Sequence, residues 1–237
     1  MAGWTKWRSI LDTIATILII AVSAAMLWRT LAPSASPRPA EAREPILPRS
    51  PVSLDGAQTM GAATAKVALI EFSDFECPFC GKFALNVQPS LKSRYVDTGK
   101  VVLAFRHLPL PFHRSAFKAG EAAECAARQG RFWEFSDRLF RDPSRLAEPD
   151  LRGHADALGL KSAEFDKCLS GESKARIQQD LADAEKWALA STPAFFVGKV
   201  RADGKVDVRK IILGLKSPGE MEAALDELLA SDSSNQR

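Results

Sequence analysis

Two of the four cysteines in this 237-residue sequence are separated by only two residues, in the segment Cys77-Pro78-Phe79-Cys80. A Cys-x-x-Cys pair can exchange disulfides, supply half of a zinc site or form a purely structural disulfide. A zinc site needs two further ligands at suitable spacing, but the other two cysteines are single and far apart, and the three histidines form no paired pattern. The spacing therefore favours a redox pair, and we expect no metal and no organic cofactor.

The position of this pair in the chain predicts different roles for its two thiols. An apolar run ends shortly before Cys77, and Pro78 suits the first position of a helix. Unpaired N–H groups and the positive end of the helix dipole would stabilise a Cys77 thiolate, so we expect a pKa in the range of about 3.5–7.5. Cys80, one turn further on, is predicted to be the buried resolving thiol. A stabilised thiolate also favours the reduced pair and makes the disulfide a better oxidant.

A strand, a helix and a second strand are predicted around the cysteine pair. Residues 67–72 form a short apolar run that contains Glu71, and residues 101–105 form another. Apolar residues recur at helical spacing between them, with Pro89 expected to bend that helix. The order predicts a βαβ unit with parallel strands. Glu71 is either buried with a raised pKa or directed to water at a sheet edge.

The rest of the chain predicts a helical block followed by a hairpin and a last helix. Residues from about 112 to 190 carry helical periodicity interrupted by glycine and proline. Apolar runs at 194–197 and 206–208 flank an Asp203-Gly204 turn, and Ser217 begins a capping-box sequence. The fold class is therefore α/β, a mixed sheet covered by helices with a helical insertion.

The N-terminal part has a different composition. Residues 1–31 contain an uncharged apolar run after two basic residues, which predicts a transmembrane anchor or a signal segment. We favour an uncleaved anchor over cleavage, because small residues lie inside the run and prolines follow it. Residues 32–60 are predicted to be a proline-rich linker, and residues 61–237 the folded domain. The net charge of +3 contains no block of like charge, so we expect no nucleic-acid partner.

Three segments together resemble the DsbA-like branch of the thioredoxin superfamily. They are the residues from Glu71 to Cys80, the segment 129–134 (Gln-Gly-Arg-Phe-Trp-Glu) and the segment 192–197 (Thr-Pro-Ala-Phe-Phe-Val). The resemblance runs from about residue 66 to the C-terminal helix. It departs after Val197, where many relatives have a tight Asn-Gly turn and this chain has a longer, more polar connection.

The resemblance implies a thioredoxin fold with the helical insertion and a substrate groove beside Cys77. It also implies a cis peptide at Thr192-Pro193 facing Cys77, with the Thr192 backbone free to pair with an extended substrate. Pro78 and Phe79 are expected to contribute to substrate binding. Glu71 matches the position of the family's buried acidic residue, so a role in moving the proton of Cys80 is expected.

The predicted function is an extracytoplasmic thiol–disulfide oxidoreductase that introduces disulfides into exported proteins through Cys77 and Cys80. We expect reduced or unfolded exported proteins as substrates and a membrane-embedded partner that reoxidises the pair. The protein would be tethered to the inner membrane by its N-terminal segment, or secreted if that segment is cleaved. The alternatives are a reductase or isomerase, and a non-catalytic thioredoxin-fold binding module.

The remaining cysteines and two of the histidines carry further expectations. An exported chain with an even number of cysteines predicts a structural disulfide between Cys125 and Cys168 within the helical block, as opposed to two buried free thiols. His107 and His113 flank a proline-rich turn, and we expect capping or surface positions for both, not catalytic ones.

Overall fold

The computed structural model describes residue 14, residues 16–28 and residues 44–233. The described chain divides into two units near residue 43, and the larger unit contains one sheet with the strand order β1-β3-β2-β4-β5. The strands are β1 (Gln58–Met60), β2 (Val67–Ser73), β3 (Val101–His107), β4 (Ala194–Val200) and β5 (Val206–Leu213). The α/β fold class predicted from the sequence is confirmed.

The two central strands carry the residues that precede the cysteine pair. Every residue of β2 and of β3 is buried, which agrees with their continuous apolar sequences. The strands run parallel, with Val67 opposite Val101 and Ser73 opposite His107. The predicted βαβ unit is therefore present, and both strands end at the same edge of the sheet.

Helices cover the sheet and form the block between β3 and β4. They are α1 (Pro78–Lys82), α2 (Gln88–Leu91), α3 (Ala116–Ala127), α4 (Phe132–Arg141), α5 (Glu148–Ala157), α6 (Ser162–Lys167), α7 (Lys174–Lys186) and α8 (Pro218–Ser233). The predicted helical block corresponds to α3–α7. At α8, Ser217 and Glu220 exchange the hydrogen bonds of a capping box.

The helical segment between β2 and β3 switches from α-helical to π-helical hydrogen bonding at two places. Five-residue π-helical turns, Phe83–Val87 and Lys92–Val96, flank α2. Pro89 lies in α2 and has no N–H to donate, and the Ser90 hydroxyl donates to the carbonyl oxygen of Val87 at 2.9 Å. The expected disturbance at Pro89 thus takes the form of π-helical turns on both sides of it.

One strand is absent from the sequence-based prediction. The three residues of β1 pair antiparallel with β3, and Val52 forms a bridge with Val206 of β5. The backbone N–H of Ile46 also donates to the carbonyl oxygen of Trp187 at 2.9 Å. This part of the predicted linker, residues 44–60, therefore contributes contacts to the sheet and its helices.

The predicted N-terminal anchor or signal segment lies outside the described residues, except for residue 14 and residues 16–28. These residues are helical and exposed. Among the helices that the structure describes, none combines the length and the apolar character needed to cross a bilayer.

The helical block and the redox pair share one hydrophobic core. Phe75, Phe105 and Phe140 pack around each other and belong to the same cluster as Cys77 and Cys80. A disulfide joins Cys125 of α3 to Cys168, 43 positions later, in the π-helical turn after α6. Closing a loop of this length stabilises a fold mainly by restricting the unfolded chain.

Candidate active site

Cys77 lies at the junction between the end of β2 and the first helix. It has extended backbone angles and is the N-cap residue of α1, with Pro78 in the first turn, and its carbonyl oxygen accepts from the N–H of Gly81 at 3.1 Å. Both cysteines are free thiols. Cys77 is 5% exposed and Cys80 is fully buried, so of the two residues only Cys77 offers any surface to a substrate.

The surroundings of Cys77 favour its thiolate. Its pKa is lowered to about 5, first because the Cys80 thiol donates a hydrogen bond to its sulfur. The Thr192 side chain and the N–H groups of Cys80 and Phe79 lower it further, while burial opposes them. The value lies in the range expected from the sequence, but the partner thiol contributes more than the helix terminus does.

The pKa of the second cysteine, Cys80, is shifted in the opposite direction. Burial, followed by the hydrogen bond to Cys77, raises the pKa of Cys80 well above its ordinary value. At neutral pH the pair therefore holds one thiolate and one thiol. This asymmetry provides an accessible nucleophile and leaving group at Cys77 and a protonated, buried partner at Cys80.

The loop before β4 faces the Cys77 sulfur. The peptide bond Thr192-Pro193 is cis, and the Cys77 thiol, when protonated, donates to the carbonyl oxygen of Thr192 at 3.4 Å. The Pro193 carbonyl oxygen accepts from the N–H of Gly214 at 2.8 Å, which links this loop to the end of β5. The structure thus brings Thr192, 115 residues away in sequence, against Cys77.

Glu71 is a buried carboxyl group between two aromatic residues. It is 1% exposed and pairs across the sheet with Phe105 of β3 and Phe195 of β4. Burial raises the pKa of Glu71 to about 8, and the nearby Ser73 hydroxyl offsets part of this rise, although Ser73 Oγ makes no hydrogen bond of regular geometry in the described chain. Of the two positions considered for Glu71, the structure has the buried one.

We expect Glu71 to contribute stability to the reduced protein that is lost as the pH rises, while the lowered pKa of Cys77 adds stability over the same range. An unfolded chain releases this proton near pH 4.5, whereas the folded chain holds it to about pH 8. At Glu71 the folded state binds more protons in that window, so the stability that Glu71 contributes should fall by up to about 3 kcal/mol between pH 5 and pH 8 relative to Glu71→Gln. Urea unfolding of wild type and Glu71→Gln across this range measures the difference. Equal slopes for the two proteins would contradict the expectation.

Two acidic residues beside the pair, absent from the sequence-based prediction, hold the active-site turn in place. Asp74 accepts from the N–H groups of Glu76 and Leu110 and contacts His113 Nδ1, each at 2.7 Å. The Glu76 carboxylate accepts from two N–H groups, those of Ser115 and the first residue of α3, both at 2.6 Å. The turn before Cys77 is therefore tied to the loop after β3. Only the run of acidic residues next to the cysteines could have indicated this.

His107 is not a surface residue, contrary to expectation. It is 2% exposed, and its Nε2 lies 2.8 Å from Glu124 Oε1, while Gln58 Nε2 donates to the other oxygen of Glu124 at 2.9 Å. The prediction was wrong because β3 extends to His107 instead of ending at Phe105, which places this side chain under α3. His113, in contrast, is partly exposed.

An open groove of about 210 Å³ lies beside Cys77. Its lining is mainly apolar and comes from the start of α1, the following π-helical turn and the end of α4: Phe75, Cys77, Pro78, Gly81, Lys82, Leu85, Asn86, Phe140 and Pro143. Phe79 is 52% exposed, although it lies between the two buried cysteines. An apolar groove at a reactive sulfur suits an extended chain with apolar side chains.

Comparison with known proteins assigns the chain to a family. The sequence profile of the thioredoxin family matches residues 54–212, which include the cysteine pair, the helical block and the cis-proline loop. The chain belongs to the thioredoxin family. The DsbA-like resemblance is also confirmed, since DsbA-type proteins are among the solved structures that share this fold.

Two of those structures show how far the thioredoxin-family likeness extends. Alpha-DsbA1 of Wolbachia pipientis has a TM-score of 0.68 and 24% identity, covering 78% of this chain and 97% of that protein. DsbA2 of Pseudomonas aeruginosa has a TM-score of 0.56 and 28% identity, covering 72% and 92%. The structure thus has the fold of DsbA-type thiol–disulfide oxidoreductases.

A sequence relative of a different name matches only in part. The Na(+)/H(+) antiporter NhaA 3 of Salinispora tropica is 36% identical over 169 residues, which are 70% of this chain but 25% of the antiporter. The matching region therefore spans about a quarter of that relative, and the name describes the longer protein.

Proposed function

We propose that this protein is a thiol–disulfide oxidoreductase that acts mainly as a dithiol oxidase on exported proteins. The observation that carries the proposal is the asymmetry of the pair. Cys77 has a pKa of about 5 and is slightly exposed, whereas the pKa of Cys80 is raised and that residue is fully buried. The substrate would be held by Pro78, Phe79, Thr192 and Pro193. Glu71 would give a proton to Cys80 or take one from it.

The reaction would proceed by two exchanges. A substrate thiolate attacks the Cys77 sulfur of the Cys77–Cys80 disulfide, forming a mixed disulfide and releasing Cys80 as a thiolate that takes up a proton. A second substrate thiolate then attacks the substrate sulfur of the mixed disulfide and releases the Cys77 thiolate. Two electrons pass from the substrate, which gains a disulfide, to the cysteine pair, which becomes reduced. The carbonyl oxygen of Thr192 can pair with an extended substrate during both steps.

We expect a reduction potential between about −180 and −120 mV, in the oxidising range of this chemistry. Stabilising the Cys77 thiolate lowers the free energy of the reduced pair and has no counterpart in the disulfide. Equilibration with defined ratios of reduced and oxidised glutathione, followed by alkylation and separation of the two forms, gives the potential directly. A value near or below about −270 mV would instead place the protein with the reductases.

Two other functions predict different results. A reductase or isomerase would need a partner that keeps the pair reduced, so alkylation trapping in intact cells would find Cys77 and Cys80 mostly as thiols. A non-catalytic binding module would use the groove without turnover. The lowered pKa of Cys77 favours a redox role, because a thiolate at the mouth of the groove is reactive and serves no purpose in passive binding.

The proposal also covers the cellular location of the protein and the partner that reoxidises its cysteine pair. We propose that the protein acts on the extracytoplasmic side, tethered to the inner membrane through residues 1–31, where a membrane-embedded protein reoxidises the pair. The basis is the apolar run and the basic residues before it. Cell fractionation should recover the full chain with membranes. Recovery of a soluble form that begins after Trp28 would contradict the tether and support secretion.

A further inference from the structure

Ser73 places a buried hydroxyl beside the redox pair. It is the last residue of β2, is 1% exposed, and its Oγ has no hydrogen-bond partner in the described chain. Buried polar groups are nearly always paired, so an unpaired hydroxyl next to reacting atoms needs an explanation. The same holds for Oε1 of Glu71, which is buried and equally without a partner among the described residues.

Ser73 and Glu71 project from the same side of β2. They are two residues apart in a strand, where alternate side chains lie on one face. That face carries Glu71 between the rings of Phe105 and Phe195, and it continues to the end of the strand, from which the chain turns into α1 and Cys80. The hydroxyl of Ser73 is therefore further along the face than the carboxyl group, towards the cysteine pair.

The Ser73 hydroxyl affects the pKa values of both Glu71 and Cys80. Burial dominates the pKa values of Glu71 and Cys80 and raises both. In each case the Ser73 hydroxyl opposes this rise, because a hydroxyl that donates a hydrogen bond stabilises the charged form. One hydroxyl group thus influences the ionisation of both a carboxyl group and a thiol.

We propose that the Ser73 hydroxyl relays a proton between the Glu71 carboxyl group and the Cys80 sulfur during thiol–disulfide exchange. The proposal rests on the proposed function, since it assigns the proton path for the exchange at Cys77. It gives a task to an atom that would otherwise be buried at a cost without a compensating hydrogen bond.

The relay has a balanced form in each direction. When a substrate thiolate attacks Cys77, the Cys77–Cys80 bond breaks and its electron pair remains on Cys80. Ser73 gives its hydroxyl proton to Cys80 and receives the carboxyl proton of Glu71, which leaves a Cys80 thiol and a Glu71 carboxylate. Solvent later restores the carboxyl proton. In the reverse direction, Glu71 takes the proton through Ser73 while Cys80 attacks the mixed disulfide.

Other titratable groups around the relay must be separated from it. Cys77 is the N-cap residue of α1, which contains Cys80. His107 of β3 is directly opposite Ser73, and Glu124 of α3 contacts its ring. Phe105 and Phe195, which flank Glu71 in the sheet, bring no titratable group. A pH dependence that is caused by the relay should therefore disappear when Glu71 is replaced, and it should not depend on His107.

The test is the single-turnover reaction of the oxidised protein with reduced glutathione between pH 6 and pH 9.5, for wild type, Ser73→Ala, Glu71→Gln and the double variant. Rates are divided by the thiolate fraction of glutathione. We expect the wild-type rate to fall above pH 8. The Ser73→Ala rate should be about tenfold lower than the wild-type rate at pH 7 and should not fall further above pH 8. The double variant should be no slower than Glu71→Gln alone.

Two further variants distinguish the relay from loss of packing. Ser73→Thr restores a hydroxyl and should recover most of the rate. Ser136→Ala removes another buried hydroxyl that lacks a partner in the described chain, from α4, and should leave the rate and its pH dependence unchanged. Circular dichroism checks that each variant is folded.

Three outcomes would overturn the proposal. The first is a Ser73→Ala variant whose rate and pH dependence equal those of the wild type. The second is a double variant whose loss equals the product of the single losses, which would mean that the two groups act independently. The third is a wild-type protein that does not react with glutathione at all, and this outcome alone would also overturn the proposed function.

Discussion

Replacing Cys77 by alanine should abolish thiol–disulfide exchange, whereas replacing Cys80 by alanine should trap the mixed disulfide that the Cys77 thiolate forms with a disulfide-bonded substrate. Cys77 is slightly exposed and its thiol has a pKa of about 5, so its sulfur is the atom that we expect to bond to the substrate. Cys80 is fully buried, so it can only resolve what Cys77 has formed. Oxidation of a peptide dithiol should fall to the uncatalysed rate in Cys77→Ala. The Cys80→Ala protein has no disulfide to offer a dithiol, but with a disulfide-bonded peptide its Cys77 thiolate should displace one substrate sulfur and accumulate a mixed disulfide, which non-reducing gels and mass spectrometry detect.

The second cysteine pair supplies the matched control. Cys125→Ala/Cys168→Ala removes two sulfurs that form a disulfide in the helical block. This variant should lose stability but retain exchange activity at a temperature where circular dichroism shows it folded. Exchange activity in Cys77→Ala, or mixed disulfides formed equally well through Cys80, would show that the roles of the two thiols are wrongly assigned.

Breaking the buried ion pair between β3 and α7 should destabilise the fold by about 3–5 kcal/mol. Asp180 and Arg106 are almost completely buried, and Arg106 Nε lies 2.7 Å from Asp180 Oδ1. Asp180 also accepts from the backbone N–H of His107 at 2.9 Å and pairs with Arg176. Asp180→Ala leaves the Arg106 guanidinium with only Asp183 as a partner and leaves a buried N–H unsatisfied. Urea unfolding of the purified protein measures the loss.

An exposed ion pair provides the comparison for this loss. Lys92 and Asp97 are about half exposed and lie 2.6 Å apart, so Lys92→Ala should change the free energy of unfolding by less than about 1 kcal/mol. Water solvates the remaining Asp97 carboxylate, whereas no water reaches Arg106. A loss below about 1 kcal/mol in Asp180→Ala would mean that the buried network relaxes around the missing carboxylate.

The fold was predictable wherever a local pattern decides an element. Continuous apolar runs indicated β2, β3 and β4, and Ser217 with Glu220 indicated the start of α8, because strand burial and helix capping depend on residues close in sequence. β1 and the bridge of Val52 to Val206 were not predictable. Three residues carry too little periodicity, and their pairing partners are more than 40 residues away.

The active site divides in the same way. The Cys-x-x-Cys spacing identified Cys77 and Cys80, and the resemblance of three segments placed Thr192, Pro193 and Glu71 in the expected site. The roles of Asp74 and Glu76 were missed, since their partners are the loop after β3 and the start of α3. His107 was misplaced because the end of β3 was set two residues early.

The sequence by itself determined that this protein carries one vicinal cysteine pair, between a strand and a helix, in an α/β domain with a helical block. These features depend on residue type and on spacing over a few positions. The tertiary structure alone decided which groups surround the pair. The Cys80 hydrogen bond that lowers the Cys77 pKa, the two phenylalanines beside Glu71 and the unpaired hydroxyl of Ser73 arise from strands and loops that meet only when the chain folds. Desolvation and hydrogen bonding act over a few ångströms in space, and this proximity is not encoded at any one position of the chain.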